Sequence, residues 1–204
     1  MNRRKLLTQG LAVGSFAGAP AIFARTLTPT STTGPFYPNV EIPEIDADLT
    51  TITGRPGRAM GDITDLSGRL LDANGNPVPG ARIEIWQCDV NGRYRHTAER
   101  SRDPIDRNFQ GFGFANTSVD GTYRFRTIKP VPYPGRTPHI HFKVLAPDHG
   151  RLVTQMYIAG EKRNRDDFLF QRLTETQQSA SMAKFEPNPE TGLLKARFDI
   201  VISR

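Results

Sequence analysis

The chain has 204 residues, a length that suits one domain, and its 16 prolines and 18 glycines separate short apolar runs, which is typical of an all-β protein with many turns. The formal net charge is +6, of which Arg3, Arg4 and Lys5 supply three, so 6 − 3 leaves +3 if the N-terminus is removed. This bias is too weak to predict nucleic-acid binding. The single cysteine, Cys88, excludes an intramolecular disulfide and is interpreted as a small core residue.

The first 24 residues have the pattern of an export signal. Arg3 and Arg4 precede an uncharged stretch that is too short and too weakly apolar for a transmembrane helix, so no stable membrane anchor is expected. The twin arginine predicts the bacterial twin-arginine export route and a periplasmic location, with a cytoplasmic protein that carries a basic tail as the alternative. The cleavage position stays open between Ala21 and Ala24.

Two further regions follow this signal. Residues 25–62 are rich in Thr, Pro and Gly, which predicts an extended N-terminal arm, and residues 63–204 are predicted to form one β-sandwich domain. Residues 65–94 are predicted to form a β-hairpin around the turn residues 73–80. Its second strand, 81–87, alternates apolar and polar side chains and is predicted to be half-buried.

The rest of the chain predicts more strands and little helix. Residues 95–118 form a long connection of a kind that is often functional. The mixed-charge run 161–167 is interpreted as a solvated loop or helix start. Further strands are predicted at 123–128, 139–145, 152–158 and 194–202, and one short helix at 166–176. The predicted fold is therefore all-β, a β-sandwich core with long active-site loops and one short helix.

Two of the four histidines, His139 and His141, lie one residue apart in a predicted strand. Residues i and i+2 of a strand point to the same face, so both imidazoles can reach one point. Imidazole suits iron, zinc and copper. Two exposed histidines are the simpler alternative, but the bulky apolar neighbours Ile140 and Phe142 indicate that one face of the strand is buried.

Several motifs accompany the histidines in a fixed order. Tyr94 follows an Asn-Gly turn, and Tyr133 precedes a proline in the loop that contains Arg136. Taken together, the motifs resemble the intradiol ring-cleavage dioxygenases, in particular the protocatechuate 3,4-dioxygenase branch. The resemblance runs from about Thr32 to the C-terminus and rests on Thr33-Gly34-Pro35-Phe36-Tyr37, Gly92-Arg93-Tyr94, Lys129-Pro130-Val131-Pro132-Tyr133-Pro134, Arg136-Thr137-Pro138-His139-Ile140-His141-Phe142 and Leu152-Val153-Thr154-Gln155-Met156-Tyr157.

The resemblance implies one ferric iron per chain, held by Tyr94, Tyr133, His139 and His141. It implies that Tyr133 leaves the iron when a catechol binds, that Arg136 stabilises charge on the ring, and that Gln155 lies near the ring. The implied reaction belongs to aromatic compound catabolism: O2 cleaves the ring between its two hydroxylated carbons and gives a cis,cis-muconate-type product without a reductant. The choice among protocatechuate, catechol, hydroxyquinol and larger lignin-like catechols stays open, as does a homo-oligomer.

One departure and two alternatives accompany this hypothesis. Gly135 stands where protocatechuate enzymes commonly have a bulky aromatic residue, which would open the pocket. A cupin-like ferrous or zinc site would need a carboxylate beside the two histidines, and Asp148 is the only close substitute. A transthyretin-like β-sandwich that only binds ligands would carry no iron.

Overall fold

The computed structural model describes residues 25–203 of the chain. The predicted export signal, residues 1–24, lies outside the described residues. Within 25–203, no helix has the length and apolar character that crossing a membrane requires.

Ten strands in the described part of the chain form two sheets packed together, which confirms the predicted β-sandwich. In chain order they are β1 (Ile63–Asp72), β2 (Arg82–Trp86), β3 (Phe112–Asn116), β4 (Thr122–Ile128), β5 (His139–Ala146), β6 (Gly150–Ile158), β7 (Met182–Ala183), β8 (Phe185–Pro187), β9 (Leu194–Arg197) and β10 (Ile200–Ile202). The first sheet has the order β10-β1-β9-β8, with β4 also paired to β1, and the second sheet has the order β3-β2-β5-β6-β7.

The predicted hairpin of residues 65–94 is wrong, because β1 and β2 belong to different sheets. The turn residues between them carry the chain from one sheet to the other. Both strands place apolar side chains, such as Leu66 and Leu70 on one side and Ile83 and Ile85 on the other, into the core that the sheets share. The alternation of apolar and polar residues indicates which face of a strand is buried, but it does not indicate which other strand it pairs with. The connection 95–118 also contains a strand, β3, that was not predicted.

The helix lies later than predicted. The only α-helix in residues 25–203 is α1 (Glu175–Ala180), and two 3₁₀ helices, Lys162–Asp166 and Phe170–Arg172, precede it. Thr174 accepts a hydrogen bond from the backbone of Gln177, whose side chain returns one to the backbone of Thr174. This capping box fixes the start of the α-helix at Glu175, so the predicted span 166–176 is wrong in position.

Within the segment 25–62, residues 31–37 lie over the outer face of the second sheet, the face turned away from the shared core, whereas residues 47–49 pair with Arg126 of β4 in the first sheet. The backbone N–H of Ser31 donates to the carbonyl of Val153 in β6 at 2.8 Å. Tyr37 donates to Glu84 at 2.8 Å, and its ring meets Trp86 edge-on with centroids 5.0 Å apart. Glu84 and Trp86 are buried, so the prediction of a half-buried second strand is wrong: this chain segment covers its other face.

Candidate metal centre

The outer face of the second sheet places the predicted histidines side by side. His141 in β5 pairs in register with Trp86 in β2 and with Gln155 in β6, and His139 pairs with Tyr157. The rings of Trp86 and His141 stack with centroids 4.7 Å apart and planes 6° apart. Both histidines are buried and project from the same face, as the i, i+2 spacing predicts.

The two imidazoles converge through their Nε2 atoms, which lie 3.2 Å apart. His139 donates from Nδ1 to the carbonyl of Thr137 at 2.6 Å, which leaves a lone pair on Nε2. Burial and the charge of Arg136 lower the pKa of His139 to about 3, and burial, together with the adjacent His139 and Arg136, holds the pKa of His141 well below its usual range. Both rings are therefore neutral at pH 7, the form that binds a metal.

Tyr94 reaches this face from the turn that follows β2. The Asp89 carboxylate accepts hydrogen bonds from two backbone N–H groups of that turn. Gly92 has a φ of 74°, and a Cβ there would lie 3.2 Å from the carbonyl oxygen of Pro132 and 3.6 Å from the Cβ of Tyr133. Glycine therefore allows the turn that carries Tyr94 to press against the loop that carries Tyr133.

Tyr133 and Arg136 are the first and last residues of a tight turn. The backbone N–H of Arg136 donates to the carbonyl of Tyr133 at 3.0 Å, with Pro134 and Gly135 between them. Proline followed by a glycine at φ 81° is the signature of a type II turn. A Cβ on Gly135 would meet nothing within 4 Å, and a cavity of about 470 Å³ that Tyr133 and Arg136 also line adjoins the turn.

The two phenol rings, of Tyr94 and Tyr133, meet edge-on near the histidines. Their ring centroids are 5.4 Å apart with planes at 85°, and the ring of Tyr94 lies 6.2 Å from that of His141. Tyr94 is buried, and within residues 25–203 its hydroxyl has no hydrogen-bond partner. Burial raises the pKa of both phenols, that of Tyr94 well above its usual range. A buried hydroxyl without a partner is costly and requires an explanation, of which a bound ion is one.

Arg136 joins these side chains to Gln155. Its Nη2 donates to Oε1 of Gln155 at 2.6 Å, and its Nη1 lies 3.4 Å from the Tyr133 hydroxyl and 3.4 Å from Nε2 of His139. Tyr157 also donates to Oε1 of Gln155, at 3.1 Å. The structure thus brings together all six predicted site residues, Tyr94, Tyr133, Arg136, His139, His141 and Gln155.

Residues near the N-terminus form one wall of the site. Phe36 stacks on Tyr94 with centroids 4.7 Å apart and meets Tyr133 edge-on at 5.9 Å. A Cβ on Gly34 would lie 3.3 Å from Cε1 of His141, so glycine permits close contact with this ring. The motif around these two residues contributed to the family resemblance, but its place beside the histidines was not predicted.

Sequence analysis missed Asp167. It ends the mixed-charge run 161–167, which was predicted to be solvated, yet its side chain is fully buried. Its carboxylate accepts from Nε of Arg136 at 2.8 Å and from the backbone N–H of Thr137 at 3.0 Å. No periodicity distinguishes this carboxylate from its exposed neighbours, because only the tertiary fold brings it to Arg136.

The cupin-like alternative lacks its carboxylate. Across residues 25–203, no group of three or more His, Cys, Asp or Glu side chains is placed to hold a metal ion. Asp148 lies in the turn after β5, at the opposite end of that strand from His139. Cys88 is buried, its Sγ lies 3.6 Å from the carbonyl oxygen of Val131, and burial raises the pKa of its thiol to about 12, which fits the small core residue that the sequence predicts.

Comparison with known proteins gives the same assignment as the motifs. A dioxygenase family model (Dioxygenase_C) matches residues 32–204. The chain is 36% identical over 178 residues to the protocatechuate 3,4-dioxygenase beta chain of Burkholderia cepacia, which covers 82% of this chain and 76% of that protein. It is 34% identical over 148 residues to a hydroxyquinol 1,2-dioxygenase of Corynebacterium glutamicum, covering 63% of this chain and 45% of that protein.

A solved structure supports the same relationship. The dioxygenase domain of a dioxygenase–carbohydrate-binding protein fusion from the cellulolytic bacterium Streptomyces sp. SirexAA-E superposes with a TM-score of 0.66 at 29% identity, covering 87% of this chain and 99% of that one. The family match extends over most of the chain, and the family consists of enzymes that use non-haem ferric iron. The chain therefore belongs to the intradiol ring-cleavage dioxygenase family.

Proposed function

We propose that this protein is a non-haem ferric iron dioxygenase that cleaves a catecholic ring between its two hydroxylated carbons and gives a cis,cis-muconate-type product. The observation that carries the proposal is the convergence of two phenols and two neutral imidazoles beside an arginine. The relatives act, by their names, on protocatechuate or hydroxyquinol, which supports a catechol as the substrate class.

The donor set fits ferric iron. Tyr94, Tyr133, His139 and His141 would hold it, and a hard cation of high charge favours anionic oxygen and can ionise a phenol. Two tyrosinates and a hydroxide would balance three positive charges, which limits the cost of burying them. Such binding would also satisfy the Tyr94 hydroxyl, which has no partner among residues 25–203. Bound ferric iron would activate the catechol for reaction with O2.

The two phenols differ in their freedom to move. Tyr94 is fully buried under Phe36, whereas Tyr133 is half-buried and lies on a turn beside an open cavity. Tyr133 is therefore the tyrosine that can swing aside when a catechol enters and accept a catechol proton on its Oη. Its hydroxyl lies 3.4 Å from Nη1 of Arg136, whose charge opposes the rise that burial causes in the pKa of this phenol.

Arg136 and Gln155 would act on the ring. The guanidinium is a fixed cation, and a preorganised cation stabilises negative charge that develops during reaction. Gln155 is held by Arg136 at Oε1, and its Nε2 donates to the carbonyl of Thr32 at 3.2 Å. Because both polar ends of this amide are occupied, its orientation is fixed before substrate arrives.

The test combines metal analysis with product analysis. The purified protein should contain one ferric iron per chain and should be red to brown from tyrosinate-to-iron charge transfer. Protocatechuate, catechol and hydroxyquinol are the candidate substrates. For any of them that is cleaved, the product should contain both atoms of isotopically labelled O2, and no reductant should be required. A colourless protein that stays inactive after iron loading would refute the proposal.

We also propose that the protein is exported by the twin-arginine route, with a cytoplasmic location as the alternative. The support is the pair Arg3 and Arg4 ahead of an uncharged stretch. Replacing both arginines with lysine should trap the precursor in the cytoplasm, as measured by cell fractionation. An unchanged location would argue for another route or for a cytoplasmic protein.

A further inference from the structure

Asp167 is a buried carboxylate whose two oxygens are both fully used. Oδ2 accepts from Nε of Arg136 at 2.8 Å and from the backbone N–H of Thr137 at 3.0 Å. Oδ1 accepts from the backbone N–H groups of Leu169 at 3.1 Å and Phe170 at 3.0 Å. Four donors around a side chain with no solvent exposure hold it in one orientation.

The charge of this carboxylate is stable in spite of its burial. Burial alone would raise the pKa of Asp167, but the hydrogen bonds from Arg136 and from the backbone of Phe170 and Thr137 hold it below its usual range. The pKa of Arg136 is raised by the same contact, against the effect of burial. Both partners are therefore ionised at neutral pH, and they form a charge-assisted pair.

The geometry of arginine makes this contact directional. A guanidinium is planar and rigid, so a partner bound at Nε fixes where both Nη atoms point. With Asp167 at Nε of Arg136, Nη2 reaches Gln155 at 2.6 Å and Nη1 reaches the Tyr133 hydroxyl at 3.4 Å. The edge of the guanidinium away from Asp167 is thereby directed to the candidate metal centre.

We propose that Asp167 is the positioning residue for Arg136: it touches neither the substrate nor the four candidate ligands, and it acts on ring cleavage only by aiming the guanidinium. The inference rests on the proposed function for the role of Arg136. The resemblance to the family implied a role for Arg136 and none for Asp167.

The other sheet supplies a matched control. Arg126 donates from Nε to Oδ1 of Asp65 at 2.9 Å, nearly the same contact, but with side chains that are 37% and 35% exposed. These residues lie in β4 and β1, in the sheet that does not carry the histidines. Asp65→Asn therefore measures what loss of an aspartate–arginine contact does when water can replace it.

The first experiment is a double-mutant cycle on the iron-loaded full chain, with turnover expressed per bound iron. Asp167→Asn should lower kcat by up to about 100-fold, the effect that a small misplacement of a catalytic group can have, and Asp65→Asn should leave it unchanged. The variant that combines Asp167→Asn with Arg136→Ala should be no slower than Arg136→Ala alone. If Asp167→Asn slows turnover equally with or without Arg136, it does not act through that arginine and the proposal is wrong.

The second experiment uses the metal-free protein, so that it does not depend on the proposed function. In urea unfolding, Asp167→Asn and Arg136→Ala should each destabilise the fold, and their combined effect should be less than the sum, because each single change leaves a buried charge without its partner. If the two losses in the free energy of unfolding were additive, Asp167 and Arg136 would not be energetically coupled, and the proposal would be wrong. A wild-type protein that cleaves no catechol would refute the proposed function and would leave this result unaffected.

A third measurement tests the proposal even if the Asp167→Asn variant does not fold. In the nuclear magnetic resonance spectrum of metal-free wild-type protein, the Nε–H of Arg136, identified by its loss in Arg136→Lys, should be protected from exchange with solvent. The Nε–H of Arg126, whose partner is the exposed Asp65, should exchange freely. Equal exchange at the two arginines would overturn the proposal.

Discussion

Two equally buried tyrosines, Tyr94 and Tyr123, differ in whether the hydroxyl has a hydrogen-bond partner. Tyr123 lies in the core between the sheets, and its hydroxyl donates to the carbonyl of Phe198. Tyr94 lies in a smaller aromatic cluster on the outer face of the second sheet, and its hydroxyl has no partner in the described part of the chain. Burial raises the pKa of both phenols, so neither exposure nor pKa separates them. What separates them is the hydrogen bonding of the hydroxyl, and the unsatisfied hydroxyl belongs to the candidate metal centre.

The most severe test of this comparison removes each hydroxyl in turn and measures iron. Tyr94→Phe should abolish turnover and lower iron affinity by more than the roughly 10–100-fold that loss of an outer partner costs, because an anionic ligand is lost. Tyr123→Phe should keep the iron content and the visible band of the wild type. If Tyr94→Phe also retained both, Tyr94 would not be a ligand and the contrast with Tyr123 would carry no functional meaning.

A second test separates charge stabilisation from metal binding within the site. Arg136→Ala should lower turnover about a hundred- to a thousandfold, about 2.7–4 kcal/mol of barrier, while the iron content and the resting colour stay nearly unchanged. Arg136→Lys should restore activity only in part, since lysine lacks the planar guanidinium. Wild-type turnover by the alanine variant would show that this arginine is not needed.

The free energy of unfolding of the metal-free protein gives a further comparison of Tyr94 and Tyr123. Tyr123→Phe should reduce the free energy of unfolding by about 1–3 kcal/mol, because it leaves the buried carbonyl of Phe198 without a donor. Tyr94→Phe should reduce it by less than about 0.5 kcal/mol or should raise it, because this hydroxyl makes no hydrogen bond of good geometry within residues 25–203. Urea unfolding of both variants with iron removed measures this. Equal losses would contradict the assignment.

The smallest expected effect is a dependence on pH. The pKa of Asp167 is lowered in the folded protein, so its ionisation stabilises the fold above the unfolded-state pKa of about 3.9, and that contribution is lost as the pH falls through the folded-state pKa. The melting temperatures of wild type and Asp167→Asn, measured without metal, should therefore approach each other below about pH 4. A difference that stays constant from pH 7 to pH 3 would contradict this assignment.

Local patterns predicted the fold class and the pair of histidines, whereas the roles of Tyr94, Tyr133, Arg136 and Gln155 came from the resemblance to the family. Alternating apolar residues and glycine-rich turns indicated strands, and the i, i+2 spacing placed His139 and His141 on one face. The pairing of strands was not predictable in the same way, because β1 and β2 alternate as a hairpin would although they lie in different sheets. Asp167 was missed for a related reason: burial by distant segments turned one carboxylate of a charged run into a partner of Arg136.

The position of Phe36 over Tyr94 has a consequence for the order of folding. Phe36 and Gly34 reach the site from a segment far away in the chain from the strands that carry the histidines. This wall packs on the face that the paired strands β2, β5 and β6 provide, so those strands must pair before the wall has a surface to cover. We therefore expect the stacking of Phe36 on Tyr94 to form after this sheet in refolding experiments.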